Sequence, residues 1–173
     1  LAREACSMIN HELKRQGLAI EDRLAQRGLW VRVDSVQMEQ VLINLLSNAI
    51  QATSQGGRVD IQVESTPKGV AIAVIDTGTG IPKENLEKIF EPFFSTKSPG
   101  EGTGLGLFVT RGIIEKLGGT IKAESTIGQG TRFCVRLPKD LMEAAESHAA
   151  SGANLDKLIF HLQDESNQGK KTS

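Results

Sequence analysis

Cysteine is scarce. Cys6 and Cys134 stand far apart, without CxxC or histidine spacing, so neither a zinc cage nor a disulfide framework can be read from them. Reduced, buried thiols in a cytosolic setting are the expectation. Long apolar runs are absent from the 173 residues, whereas a membrane span needs roughly 18 or more uncharged apolar residues in a row. The first segment, LAREACSMINHELKRQ, alternates charged and apolar side chains where a signal peptide needs an apolar core. No charge excess exists either, and a formal net charge of −1 argues against a basic nucleic-acid binder. No GK[ST] triplet occurs, which excludes a Walker loop, and no repeat or low-complexity tract appears.

What remains, 39% apolar and 24% charged, is the composition of one globular domain with a modest appendage. A domain of roughly 140 residues buries on the order of 70% of the surface its unfolded chain exposes, enough for a core of its own. Residues 1–17 read as the end of a linker helix, and a chain that starts at Leu1 in mid-pattern is expected to be a fragment. Short apolar runs predict strands at Leu18–Glu21 and Leu29–Val33, expected to pair with each other. From Ser35, the expected N-cap, the residues Val36, Val41, Leu42, Leu45, Leu46, Ala49 and Ile50 recur at helical spacing until Gly56 and Gly57. Arg58–Thr66 alternates, Pro67-Lys68-Gly69 turns, and Val70–Ile75 is nearly all apolar, a hairpin whose second strand is well buried and ends at Asp76. Pro82 opens a short helix to Ile89, Phe90–Thr103 breaks every period and reads as a mobile loop, and a helix spans Gly104–Leu117. Gly118 and Gly119 stop it, and Thr120–Ser125 with Thr131–Leu137 form a last hairpin. The order predicts an α+β two-layer sandwich over residues 18–138, with helices on one face of a mixed sheet. In residues 139–173 only Leu155, Leu158, Ile159 and Leu162 offer a stripe for one short helix, in either a partly ordered tail or a segment that docks on a partner.

Four segments carry chemistry. Fourteen of the 18 glycines lie between Gly56 and Gly130, and Gly78, Gly80, Gly100, Gly102, Gly104 and Gly106 crowd together. EGTGLGL, containing Gly102, Thr103, Gly104, Leu105, Gly106 and Leu107, opens a helix whose free amides and positive dipole end suit a phosphate; a ligand-free hinge is the alternative. A dinucleotide fingerprint read from Gly102 would need glycine at Leu107 and a preceding strand, and has neither. DTGTGIP (76–82) sets Asp76 at the end of the buried strand, where an acceptor-only carboxylate selects an amine such as that of adenine while Gly78 and Gly80 admit the ring; a plain turn is the alternative. NLLSNA (44–49) puts Asn44 and Asn48 on one helix face, a costly placement that suits magnesium, or else a solvated polar pair. IFEPFFSTK (89–97) holds three of the six phenylalanines, Phe90, Phe93 and Phe94, which anchor a loop or fill the core, beside Lys97 facing a phosphate or solvent.

In this order and spacing the four segments resemble the catalytic ATP-binding domain of bacterial sensor histidine kinases, within the superfamily that also holds gyrase, Hsp90 and MutL. The resemblance runs from about residue 3 to Pro138 and is strongest to sensors of nitrogen-regulation and dicarboxylate-transport type. It implies the Bergerat ATP-binding fold, ATP and Mg²⁺ as ligands, and a role for each matching residue. Asn48 matches the magnesium asparagine and Asn44 its polar companion. Asp76 matches the adenine-reading aspartate, with Gly78, Gly80 and Ile81 around the pocket. Phe90 and Phe93 match the phenylalanine box, Gly102 to Leu107 the phosphate-wrapping stretch, and Thr131 a threonine near the adenine. Phe90–Gly104 would form the lid.

Two departures matter. Gln51 stands where many sensor kinases carry lysine or arginine, so phosphate neutralisation leans on Lys97, or on Arg111 if it reaches. ATP-hydrolysing relatives place a glutamate at the position of Asn44, and an amide cannot act as a general base. The resemblance therefore implies transfer of the γ-phosphate to a protein histidine, with Asn44 and Lys97 as the catalytic candidates. That histidine is expected on a separate dimerisation domain upstream, with a homodimer and a response regulator as partners, in the cytoplasmic part of a membrane-anchored sensor. His11, in INHELK, lacks the continuation of a phosphoacceptor motif, and His148 and His161 lie in the tail. A nucleotide sensor without transfer and a serine kinase of the same superfamily are the rival readings.

Overall fold

A computed structural model describes residues 18–24, 30–96, 102–143 and 158–159. The expected helix over 1–17, Lys97 and all three histidines lie outside these residues. The elements are β1 (Ala19–Leu24), β2 (Trp30–Val31), α1 (Ser35–Ala52), β3 (Arg58–Thr66) and β4 (Gly69–Asp76), then 3-10 turns at Lys83–Asn85 and Lys88–Phe90. There follow α2 (Gly106–Lys116), β5 (Thr120–Thr126), β6 (Gly130–Pro138), a 3-10 turn at Lys139–Leu141, β7 (Met142–Glu143) and β8 (Leu158–Ile159).

Five strands form a mixed sheet in the order β1-β3-β4-β6-β5, with β1 parallel to β3 and every other neighbour antiparallel. The fold is the expected α+β sandwich. Its centre is β4, which explains why that strand reads as an unbroken apolar run. Val70, Ile72 and Val74 share a face with Asp76 and belong to the core formed with Met38, Val41, Leu45 and Ile50 of α1. Fully burying such a side chain contributes about 1.5–3 kcal/mol, so this seam fixes which way Asp76 points. The register then sets Asp76 opposite Thr131 on β6.

Helix α1 starts one residue earlier in logic than Ser35. Asp34 is the N-cap, its Oδ1 accepting from the Gln37 amide at 3.0 Å, because a carboxylate is the better acceptor for the free first-turn amides. The helix ends at Ala52, ahead of Gly56, where the Thr53 hydroxyl donates to the Ala49 carbonyl at 2.6 Å. Helix α2 closes as expected: the amides of Gly118 and Gly119 donate to the carbonyls of Glu115 and Ile114, both at 2.9 Å, and Gly118 takes φ +70°.

Three expectations fail. The first two strands do not pair with each other, since β1 joins β3 while β2 lies between β7 and β8 in a separate three-stranded sheet. A run of β propensity names a strand and not its partner. Pro82–Ile89 is not a helix but two 3-10 turns, too short to repeat an apolar stripe. Leu158 and Ile159, expected on a helical stripe, form a strand antiparallel to β2, whose open edge offers backbone partners to a short apolar pair. The fold also continues beyond Pro138, with the Arg32 amide donating to the Leu141 carbonyl at 2.7 Å.

Candidate functional site

A cavity of about 400 Å³ opens between α1, the carboxyl end of β4 and the start of α2. Asn44, Asn48 and Gln51 reach it from α1, and Asp76, Gly80 and Ile81 from the strand end. Gly102, Thr103, Gly104, Gly106 and Leu107 line it from the glycine-rich stretch, and Thr131 from β6. Twelve of the residues singled out by sequence therefore share one space.

Asp76 is only 4% exposed. Its Oδ1 accepts from the Gly78 amide at 2.8 Å and the Thr131 amide at 3.2 Å, so neither bond uses Oδ2. Burial pushes the carboxyl above its usual range, and the two amides pull it partly back. A carboxylate fixed in this way reads a donor, and it does so without having to reorganise.

The loop after Asp76 is tied on every side. Thr77 N–H donates to the Arg58 carbonyl at 3.1 Å, Thr79 N–H to Ala52 at 3.0 Å, and Gly128 N–H to Thr79 at 2.8 Å. Ile81 N–H donates to Ser125 Oγ at 2.8 Å. The glycines here were expected to make room for a ring. Instead a Cβ on Gly78 would stand 2.3 Å from the Ala52 carbonyl oxygen, and one on Gly80 2.3 Å from that of Thr126. The small residues let backbone pack on backbone, and Gly78 does not line the cavity.

Asn44 ties the two helices together. Its Nδ2 donates to the Gly106 carbonyl at 3.1 Å and to Thr110 Oγ1 at 3.2 Å, while its Oδ1 accepts from Gln40 at 3.1 Å. That network explains an asparagine inside a helix and makes Asn44 a positioning residue. Asn48 and Ser47 line the cavity on the same helix.

The phenylalanine segment divides its labour. Phe90 is buried behind the cavity, edge-on to Phe133 with centroids 6.5 Å apart, and the Arg111 guanidinium sits 5.8 Å from its ring centre. Arg111 also pairs with Glu115 at 3.8 Å and does not line the cavity. Phe93, expected at the site, is 76% exposed with φ +66° and contributes its backbone, its amide donating to the Gly104 carbonyl at 3.0 Å. Of the three phenylalanines in this segment, Phe94 is the one that lines the cavity. Leu105, also expected at the site, does not line the cavity and stands at the N-cap of α2. Sequence reasoning left out Ser47, Thr79, Ser95 and Thr96, which stand inside the motifs without an assigned role, and Phe133 on β6, which no motif includes.

Residues 33–141 match the family described as histidine kinase-, DNA gyrase B-, and HSP90-like ATPase. The chain belongs to this family. Among curated proteins it is 41% identical over 154 residues to sensor kinase CckA of Brucella abortus (strain 2308), covering 80% of this chain and 16% of CckA. The chain thus spans a small part of that relative. Among solved structures it resembles the nucleotide-free catalytic domain of histidine kinase ThkA, with a TM-score of 0.72 and 37% identity over 80% of this chain and 90% of that one. It also resembles ThkA in a complex with the response regulator TrrA, with a TM-score of 0.66 and 32% identity over 83% of this chain and 40% of that one. Among the described residues of this ATPase-family domain, no helix is long and apolar enough to cross a membrane.

Proposed function

We infer that the cavity holds Mg-ATP as the catalytic domain of a sensor histidine kinase and presents the γ-phosphate to a histidine on an upstream dimerisation domain. One observation carries this reading: a buried carboxylate with Oδ1 locked by two amides shares a cavity with an asparagine helix and a glycine-rich helix start. The Asp76 carboxylate accepts the exocyclic amine of adenine through Oδ2, beside Thr131, with Ile81 against the ring. The amides and positive end of α2, reached through Gly102, Gly104 and Gly106, face the phosphates, with Thr103 beside them. Lys97 is the cation we place on the phosphates, since Gln51 is neutral and Arg111 is engaged with Phe90 and Glu115.

The donor set fits magnesium. Among the described residues no group of three or more His, Cys, Asp or Glu could cage a metal, so an ion here takes most of its ligands from phosphate and water. Asn48, through its hard amide oxygen and its place on the cavity wall, is the residue that would hold it. Held there, magnesium would supply positive charge that offsets the charge on the phosphates. Asn44 cannot take a proton from water, which favours transfer over hydrolysis. Positioning then supplies most of the rate, with the acid–base group beside the acceptor histidine.

The subgroup we place with nitrogen-regulation and dicarboxylate-transport sensors on motif resemblance alone. We place the intact protein as a homodimer with cytoplasmic catalytic domains that hands phosphate to a response regulator; the ThkA–TrrA complex supports that partner. Calorimetry with ATP, with and without Mg²⁺, on the wild-type chain and on Asn48→Asp tests the site. Acid-labile phosphate on the parent protein separates a histidine kinase from a nucleotide sensor, and acid-stable phosphate on a partner would indicate a serine kinase. A wild-type chain that binds no purine triphosphate sinks the reading.

A further inference from the structure

Ser125 lies on β5, off the cavity, and belongs to none of the four motifs. Its hydroxyl meets three groups: the Ile81 amide at 2.8 Å, the Gly130 carbonyl at 2.8 Å and Thr131 Oγ1 at 3.0 Å. The geometry alone leaves the hydroxyl–hydroxyl bond undirected, but donor accounting directs it. A serine hydroxyl has one hydrogen and two acceptor sites. An amide can only donate to it, and a carbonyl can only accept from it. The hydrogen is therefore spent on Gly130, and Thr131 must donate to Ser125. The Thr131 hydroxyl, on a residue that is 4% exposed and lines the cavity beside Asp76, is left with lone pairs and no proton for a ligand.

We propose that Ser125 is a positioning and specificity residue: it fixes the Thr131 hydroxyl as an acceptor, so that this hydroxyl and the Asp76 carboxylate together meet position 6 of a purine as acceptors and reject an oxygen there. This rests on the adenine-nucleotide reading and deepens it. Adenine brings an amine to that edge, whereas hypoxanthine brings a carbonyl oxygen whose lone pairs meet those of Thr131 and Asp76. Without Ser125 the Thr131 hydroxyl is free to rotate and donate to that oxygen.

The test titrates the full chain with ATP and with ITP, and reads the ratio of the two affinities together with thermal unfolding. Ser125→Ala shifts the ratio toward ITP by roughly 3- to 10-fold, the equivalent of one neutral hydrogen bond gained or lost. Ser125→Thr keeps the hydroxyl and restores the wild-type ratio, a rescue that a merely structural role would not show. Thr131→Val reads the same ratio without touching Ser125: it narrows the preference, and adding Ser125→Ala to it changes the ratio no further. An Ser125→Ala chain that loses ATP and ITP affinity equally, or an unchanged ratio in Thr131→Val, overturns the proposal while leaving the nucleotide site standing. A wild-type chain that binds neither triphosphate overturns both.

Discussion

The two ends of the cavity are built differently. At the strand end, Asp76, Thr79, Gly80, Ile81 and Thr131 hang on the central strands; the loop amides that leave β4 find acceptors on α1, β3 and β5, and the Thr79 carbonyl accepts from the Gly128 amide of the β5–β6 turn. At the helix end, among the described residues, the Phe93 amide donates to the Gly104 carbonyl, the Leu105 amide to Thr103 Oγ1, and the Asn44 amide to Gly106 and Thr110. Gly102 and Thr103 there are exposed. The contrast fits the task proposed for each end. In the proposed reading, a preformed lattice of donors and acceptors suits a rigid base, and the exposed amides at the start of a helix suit a phosphate chain.

Asp76→Asn strikes the strand end hardest. The amide oxygen can still accept from Gly78 and Thr131 at the Oδ1 position, so the fold is retained, while a donor replaces the acceptor at Oδ2. Losing a charge-assisted hydrogen bond costs about 1.5–3 kcal/mol, and ATP affinity measured by calorimetry falls roughly 10- to 100-fold. Unaltered affinity would remove the strand end from base recognition.

At the helix end, Gly104 and Gly106 make a matched pair. Gly104 has φ +66°, and a Cβ there would stand 2.5 Å from the Phe93 carbonyl carbon, whereas a Cβ on Gly106 meets only Asn44 at 3.6 Å. Gly104→Ala loses about 1–3 kcal/mol of local stability, seen as faster amide hydrogen exchange around Phe93, with weaker ATP binding. Gly106→Ala keeps global stability within about 0.5 kcal/mol in chemical denaturation and weakens only ATP. Equal behaviour of the two would mean that the Phe93–Gly104 crossing does not shape this end.

Asn44→Ala should cost less, about 1 kcal/mol of stability for the lost part-buried bonds to Gly106 and Thr110. A KM for ATP raised several-fold in the intact kinase, with Mg²⁺ dependence unchanged, fits a clasp between α1 and α2. A changed Mg²⁺ requirement would instead make Asn44 a metal ligand.

The strand end was also the more legible in the sequence. Val70–Ile75 announced a well-buried strand, and Asp76 followed from where it stopped. Ser125 was invisible because one hydroxyl in an alternating strand carries no local pattern; only the register of β5 on β6, pairing Ser125 with Thr131, reveals it. At the helix end the glycines gave away the site, but Phe93 and Phe94 exchanged roles because a positive φ at Phe93 turns its ring outward. The partners of β1 and β2 depend on contacts distant in sequence, which propensity does not encode.

The smallest effect is one of pH, and it separates folding from binding at the same carboxyl. The Asp76 pKa is raised above 3.8 by burial, so the folded chain holds this proton more tightly than the unfolded chain does. Its contribution to stability is full below 3.8 and is lost as pH rises through the folded value. Binding runs the other way, because the adenine amine needs the ionised carboxylate. ATP affinity is flat above the folded pKa and declines below it, by at most about tenfold per pH unit for one proton. The decline starts above the ordinary carboxylate range, proton uptake accompanies ATP release there, and Asp76→Asn abolishes both. A wild-type affinity that holds level down to 3.8 would mean that binding does not depend on the charge of Asp76, and one that rises as pH falls would mean that the base end reads an acceptor.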